Sequence, residues 1–302
     1  MAANIAALAA DIAALETNGR LYQETNFAAR AEALDDLGFD VAERLESLQR
    51  AHGARGGLLD LRRRAERLRR RLEAADDRLF RNLRAGIAAG RIAGPQLRRM
   101  ILQQATVDVG PASHLGYDTL DSFTNGLLLM YPEPAETRDR EPEMIRYLPT
   151  PARVVLELVD RVRFRPDDVF YDIGSGLGQV AILVHLLCGV RTVGVEVQPD
   201  FCAYARRCAA RLHLSRVQFI NADARQADYS QGTLFFLYSP FEGGMLQQTL
   251  RRLQAESLNR RLTLCTYGPC TAEVERQSWL RRDVPEPCDV CRLAIFSSTE
   301  QG

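Results

Sequence analysis

Apolar positions along this chain keep two rhythms. The first third is helical in period. Leu58, Leu61, Ala65, Leu68, Leu72, Ala75 and Leu79 fall at alternating steps of three and four, which is the a/d seam of a packed helix. Leu34, Leu37, Val41, Leu45 and Leu48 follow similar steps. His52-Gly53-Ala54-Arg55-Gly56-Gly57 separates the two runs, and its glycines break a helix. The pattern predicts an antiparallel, coiled-coil-like hairpin over about residues 28–85. Ile5, Leu8, Ile12 and Leu15 mark one face of a short helix at 2–15, and another helix is expected over 96–106.

From about residue 150 the rhythm changes to short apolar runs that alternate with helical ones. Strands are expected at 169–171, 191–197, 217–220, 233–238 and 261–267, with later ones near 280–283 and at 292–297. Helices are expected at 151–162, 179–188, 199–214, 243–254 and 271–280. Alternation of this kind predicts an α/β fold with a mostly parallel sheet. Residues 110–142 are rich in glycine and proline and read as turns, with Ser122–Met130 apolar enough to dock on one of the domains. The proline-bearing acidic stretch 133–143 is the natural boundary. An all-α domain over 1–140 and an α/β domain over 141–302 are therefore expected.

Charge sharpens the first half. Residues 1–49 hold three arginines against nine acids, and residues 50–99 hold fifteen against five. An acidic helix against a basic one suits the hairpin, within one chain or between two copies. The arginines could instead be a nucleic-acid footprint; a solvated face, partly neutralised by its partner, is the plainer reading. All 39 basic residues are arginine, so no lysine can act as base, Schiff-base nucleophile or phosphate anchor. Seven cysteines without a secretory pattern read as reduced thiols. Cys288 and Cys291 have metal-ligand spacing, but no second pair completes a site, so no metal is expected. No apolar run approaches a membrane span, and cytoplasmic residence is the expectation.

The densest chemical signal is Asp172-Ile173-Gly174-Ser175-Gly176-Leu177-Gly178. It stands between an apolar strand and a helix. Glycines at alternate positions allow a tight turn and close approach of a ligand, and the following helix start offers unpaired N–H groups. A dinucleotide and S-adenosylmethionine both suit such a turn. The dinucleotide fingerprint needs glycine where Gln179 stands.

The D-x-G-x-G-x-G form resembles motif I of the class I S-adenosylmethionine methyltransferases. That resemblance implies a Rossmann-like sheet with an antiparallel last strand. It further implies that Asp172, Gly174, Ser175, Gly176 and Gly178 form the cofactor turn. Glu196, 22 residues after Gly174, would accept the ribose hydroxyls. Asp223 and Ala224, after the third strand, would meet the adenine. Tyr147 and Thr150 lie in the stretch that covers the cofactor in several branches. Asp172 to Val180 and Gly194-Val195-Glu196 are similar to the non-SET histone-lysine methyltransferases, the disruptor of telomeric silencing family. At the substrate side, Tyr238-Ser239-Pro240-Phe241 departs from that family's asparagine-rich strand end. It is faintly similar to the [DN]-P-P-[YF] motif of amino-group methyltransferases, which would make Tyr238, Ser239 and Phe241 the acceptor pocket. The expected activity is S-adenosylmethionine-dependent methyl transfer to an amino group of a protein or nucleic acid. The alternative is a cofactor-binding module that has lost transfer. No histidine lies near a motif strand end, and no catalytic base is assigned.

Overall fold

The computed structural model describes residues 2–52, 56–104, 118–130, 132–284 and 289–299. The expected helix break at 52–57 and the Cys288–Cys291 pair fall partly outside them. Contacts divide the chain into two units.

The first unit runs to Ala85 and takes in a later helix. Its elements are α1 (Ala2–Thr17), α2 (Phe27–Gly38), α3 (Asp40–His52) and most of α4 (Gly56–Ala88). Every seam position named on α4, from Leu58 to Leu79, is buried. Leu8 and Ile12 of α1, Ala33 and Leu37 of α2, and Val41 and Leu45 of α3 share a core with its first half. The expected single acidic helix is two helices. α2 stops at Gly38, a poor helix former, and Phe39 stands 76% exposed at the break. α3 restarts with Asp40 and Glu43 in its first turn, where carboxylates complement the helix dipole. Arg30 of α2 is fully buried: its Nε donates to Asp76 of α4 at 2.6 Å and its Nη1 to the Leu21 and Gln23 carbonyls, while its Nη2 meets no partner among the described residues.

α5 spans Gly94–Leu102, ending four residues before the expected limit. The turn-rich reading of 110–142 is corrected by α6 (Thr119–Leu128). Asp118 accepts from Leu120 N–H at 2.8 Å, and Asp121 accepts from Asp118 N–H at 2.8 Å. This is a capping box built with two aspartates. Phe123 of α6 packs edge-on with Phe27 and Phe80, with centroids 5.3 and 5.6 Å away.

The second unit holds the sheet. Its elements are α7 (Ala152–Arg161), β1 (Val169–Ile173), α8 (Gln179–Cys188), β2 (Arg191–Glu196), α9 (Pro199–Arg211), β3 (Val217–Asn221) and β4 (Leu234–Leu237). Then come α10 (Gly243–Ser257), β5 (Thr263–Thr266), α11 (Cys270–Glu275), β6 (Leu280–Arg282) and β7 (Ala294–Ser298). The strand order is β3-β2-β1-β4-β5-β7-β6. β1 to β5 pair in parallel, while β7 pairs antiparallel to both β5 and β6. The order reverses between β1 and β4. Such a switch point opens a crevice at the carboxyl ends of the strands.

α8 falls where a helix was expected, and it is buried nearly all round. Every residue from Gln179 to Val184 is buried, with Leu186 and Leu187. It packs on the sheet and is covered by α7. α11 is a six-residue helix, shorter than expected. Among the described residues no helix is long and apolar enough to cross a membrane, and no cluster of metal-ligating side chains occurs.

Candidate cofactor and acceptor site

Three glycines make the turn after β1. Gly174, Gly176 and Gly178 have φ of 77, 51 and 85°, a region that side chains with a Cβ rarely adopt. The turn folds back on β2: Gly174 and Ser175 N–H both donate to Val195 O, at 2.9 and 3.0 Å. The glycines have different neighbours. A Cβ on Gly174 would lie 2.3 Å from Pro240, and one on Gly176 would lie 2.2 Å from the Tyr147 ring. One on Gly178 would meet Phe219 and Ala205. Gly178 thus lets α8 approach β3 and α9.

Glu196 ends β2 beside this turn. Its carboxylate accepts Gly176 N–H and Gln198 N–H, each at 2.7 Å. Burial raises its pKa, against these backbone donors and Val197 N–H. An ionised carboxylate has about four acceptor sites, so capacity remains for a ligand hydroxyl. Asp172 is buried on β1, and its pKa is pushed up to about 7 by burial, with Glu196 adding to the rise. One oxygen of Asp172 and the Ser175 hydroxyl meet no partner among the described residues.

Asp223 follows β3. Arg225 grips both of its oxygens, with Nε 3.0 Å from each. This pairing holds the Asp223 carboxyl below its usual range. Arg225 also reaches Glu141 at 2.7 Å, which ties the segment upstream of α7 across the strand ends. Gln198 and Arg138 exchange two bonds at 3.0 and 2.6 Å. Glu143 accepts Gly244 and Met245 N–H at 2.9 and 2.7 Å, and Ile145 N–H donates to Pro240 O at 3.1 Å. The segment is therefore fastened both beyond β3 and beyond β4.

Beneath it lies a cavity of about 410 Å³, within the range of small-molecule sites. Glu196, Asp223, Ala224, Gly174 and Tyr147 line it, and so do Tyr238, Ser239 and Phe241. Asp172, Ser175, Gly176, Gly178 and Thr150 stand outside its lining. Gln198, Phe201, Met245 and Tyr267 line it without a preceding sequence signal. Tyr147 packs edge-on against Phe201, with centroids 5.3 Å apart. Ser239 adopts φ 42°, a strained value for serine. Its hydroxyl accepts Cys270 N–H at 3.0 Å and donates to Tyr267 O at 3.4 Å.

The donor set suits a nucleoside with a polar tail. The Glu196 and Asp223 carboxylates stand at the ends of successive strands, and one Asp172 oxygen and the Ser175 hydroxyl lie unpartnered among the described residues at the glycine turn. The family model described as "Histone methylation protein DOT1" matches residues 147–236. Over those residues the chain resembles the DOT1 family of S-adenosylmethionine-dependent methyltransferases. That resemblance implies S-adenosylmethionine as the cofactor. Solved structures of methyltransferases are similar over part of the chain. An RNA methyltransferase from Salinibacter ruber, solved with S-adenosylhomocysteine, is 29% identical over 50% of this chain and 92% of its own, with TM-score 0.38. A precorrin-6y C5,15-methyltransferase from Geobacter metallireducens is 16% identical over 52% and 93%, with TM-score 0.38. A tRNA (uracil-54, C5)-methyltransferase from Pyrococcus abyssi is 18% identical over 48% and 37%, with TM-score 0.38. No curated protein matches the chain.

Proposed function

We propose that the methyltransferase transfers the methyl group to an amino nitrogen of a protein or nucleic acid. The observation that carries this reading is the continuity of the cavity. It runs from Glu196 and Asp223 at the ends of β2 and β3 to Tyr238, Ser239 and Phe241 after β4. A donor at one end and an acceptor at the other would share one continuous space.

The cofactor supplies a methyl group already activated on a sulfonium. The protein's part is to hold, orient and keep water out. Glu196 would accept the ribose hydroxyls, Asp223 and Ala224 would flank the adenine, and Tyr147 would close over the turn. The acceptor end is mainly aromatic and apolar, with Tyr238 and Tyr267 rings 5.0 Å apart and Phe241 and Met245 buried beside the cavity. Such walls exclude water and fix an incoming group. Positioning of this kind contributes roughly 7–11 kcal/mol in favourable cases. No side chain is assigned as base, so the acceptor nitrogen would arrive uncharged.

The test is transfer of radiolabelled methyl to cell lysate, fractionated into protein, nucleic acid and small molecules. Label in protein or nucleic acid, on nitrogen after hydrolysis, is the expected result. Label on carbon or oxygen would refute the amino-group reading. Cofactor binding without any transfer would favour the inactive module, a reading to which the tied-back Ser239 hydroxyl lends some support.

A further inference from the structure

We propose that the solvent face of α4 grips the phosphate backbone of a nucleic acid, independently of base sequence. The seam of α4 points into the core, so the opposite side is free. At 100° per residue, Arg63, Arg67, Arg70, Arg78 and Arg81 gather on that opposite side. All five are exposed. Arg63 and Arg81 are separated by about 27 Å along the helix axis, at about 1.5 Å per residue.

The acidic helices do not neutralise this row. Arg62 and Arg69, on one flank, pair with Glu66 and Glu73 of α4 itself. Arg64, on the other flank, takes Glu16 of α1 at 2.7 Å. Arg63 reaches Asp60 only at 3.7 Å, with both side chains largely exposed. Among the described residues, Arg67, Arg70, Arg78 and Arg81 have no carboxylate within 4.0 Å. Three acids face the row: Asp60 and Asp77 on α4, and Glu16, whose carboxyl also feels Arg67 and Arg71. Five guanidinium groups against two carboxylates of the same helix leave a net positive stripe.

Arginine is always charged and meets phosphate oxygens in a fork geometry, so a row of them suits a polyanion with regularly spaced phosphates. No aromatic side chain interrupts the row, so base stacking has no platform and the grip falls on the backbone.

The experiment is fluorescence anisotropy with the full chain, using a labelled 20-nucleotide single-stranded RNA, the same sequence as duplex DNA, and polyglutamate. Raising salt from 50 to 200 mM should weaken RNA binding about 50-fold if about four phosphates are neutralised. Substituting Arg63→Gln, Arg67→Gln, Arg70→Gln and Arg81→Gln together should remove most of the affinity and flatten the salt slope. These positions lie off the seam, and unchanged circular dichroism and S-adenosylhomocysteine affinity would show the fold intact. The RNA and DNA arms decide which nucleic acid is preferred. No binding of either at 50 mM salt overturns the proposal, as does a quadruple variant with the parent's affinity and slope. Polyglutamate bound as tightly as RNA overturns it too. None of these outcomes bears on methyl transfer, which the lysate assay tests separately.

Discussion

Replacing Glu196 by glutamine perturbs the cofactor site with almost no change of shape. The carboxylate accepts Gly176 and Gln198 N–H at 2.7 Å and is expected to accept ribose hydroxyls as well. Glutamine keeps one acceptor oxygen and sets an NH₂ where the other stood. One ligand bond is lost, and the remaining one is no longer charge-assisted. Hydrogen bonds to charged groups contribute about 1.5–3 kcal/mol, so a loss of about 2–4 kcal/mol is expected. That is roughly 30- to 700-fold in Kd. The apo protein should also lose stability, by about 1–3 kcal/mol, because one backbone N–H of the turn is left facing a donor. Calorimetric titration with S-adenosylhomocysteine at pH 8 and thermal melting read the two effects separately. The raised pKa of Glu196 adds a sign. Hydroxyl donors favour the carboxylate, so parent affinity is full above that pKa and falls as pH drops through it, while the Glu196→Gln variant stays flat. A variant that melts lower yet binds within threefold of the parent would show that Glu196 only closes the turn.

Asp172→Asn should raise the melting temperature, and only above acid pH. The Asp172 pKa stands at about 7 against 3.8 for the free group, so its ionisation destabilises the fold as pH rises from about 4 to 7 and then levels off; equal gains at pH 4 and pH 8 would contradict this. Gly176→Val should cost at least tenfold in cofactor affinity, because its Cβ would lie 2.2 Å from the Tyr147 ring at φ 51°, whereas Gly19→Ala meets nothing within 4 Å and should bind as the parent does in the same titration. Arg30→Ala should destabilise the first unit by about 3–5 kcal/mol in urea melts, since it leaves the largely buried Asp76 carboxylate without its partner; a change under about 1 kcal/mol would show the pair to be dispensable.

Periodicity made the α4 seam and the succession of strands along the chain legible, because burial follows side-chain spacing directly; the sheet order β3-β2-β1-β4-β5-β7-β6 was not readable from spacing. The break at Gly38-Phe39 was not, since Leu37 and Val41 keep the helical step across it. α6 was hidden by the glycines and prolines around it, although Asp118 and Asp121 stand at capping-box spacing. In the site, the glycine turn and Glu196 were readable as a local motif next to a strand end. The role of Gly178 was not, because its neighbours Phe219 and Ala205 come from other elements. The same holds for Gln198 with Arg138, and Arg225 with Glu141. They are joined across 60 and 84 residues of chain, and sequence spacing carries no trace of such meetings.

Calorimetric titration of the parent protein with S-adenosylmethionine and S-adenosylhomocysteine, beside NAD as a control, tests the cofactor assignment most directly. One molecule of either adenosyl ligand per chain, and no heat with NAD, is the expected result. No binding of both, or preferential binding of NAD, would contradict it.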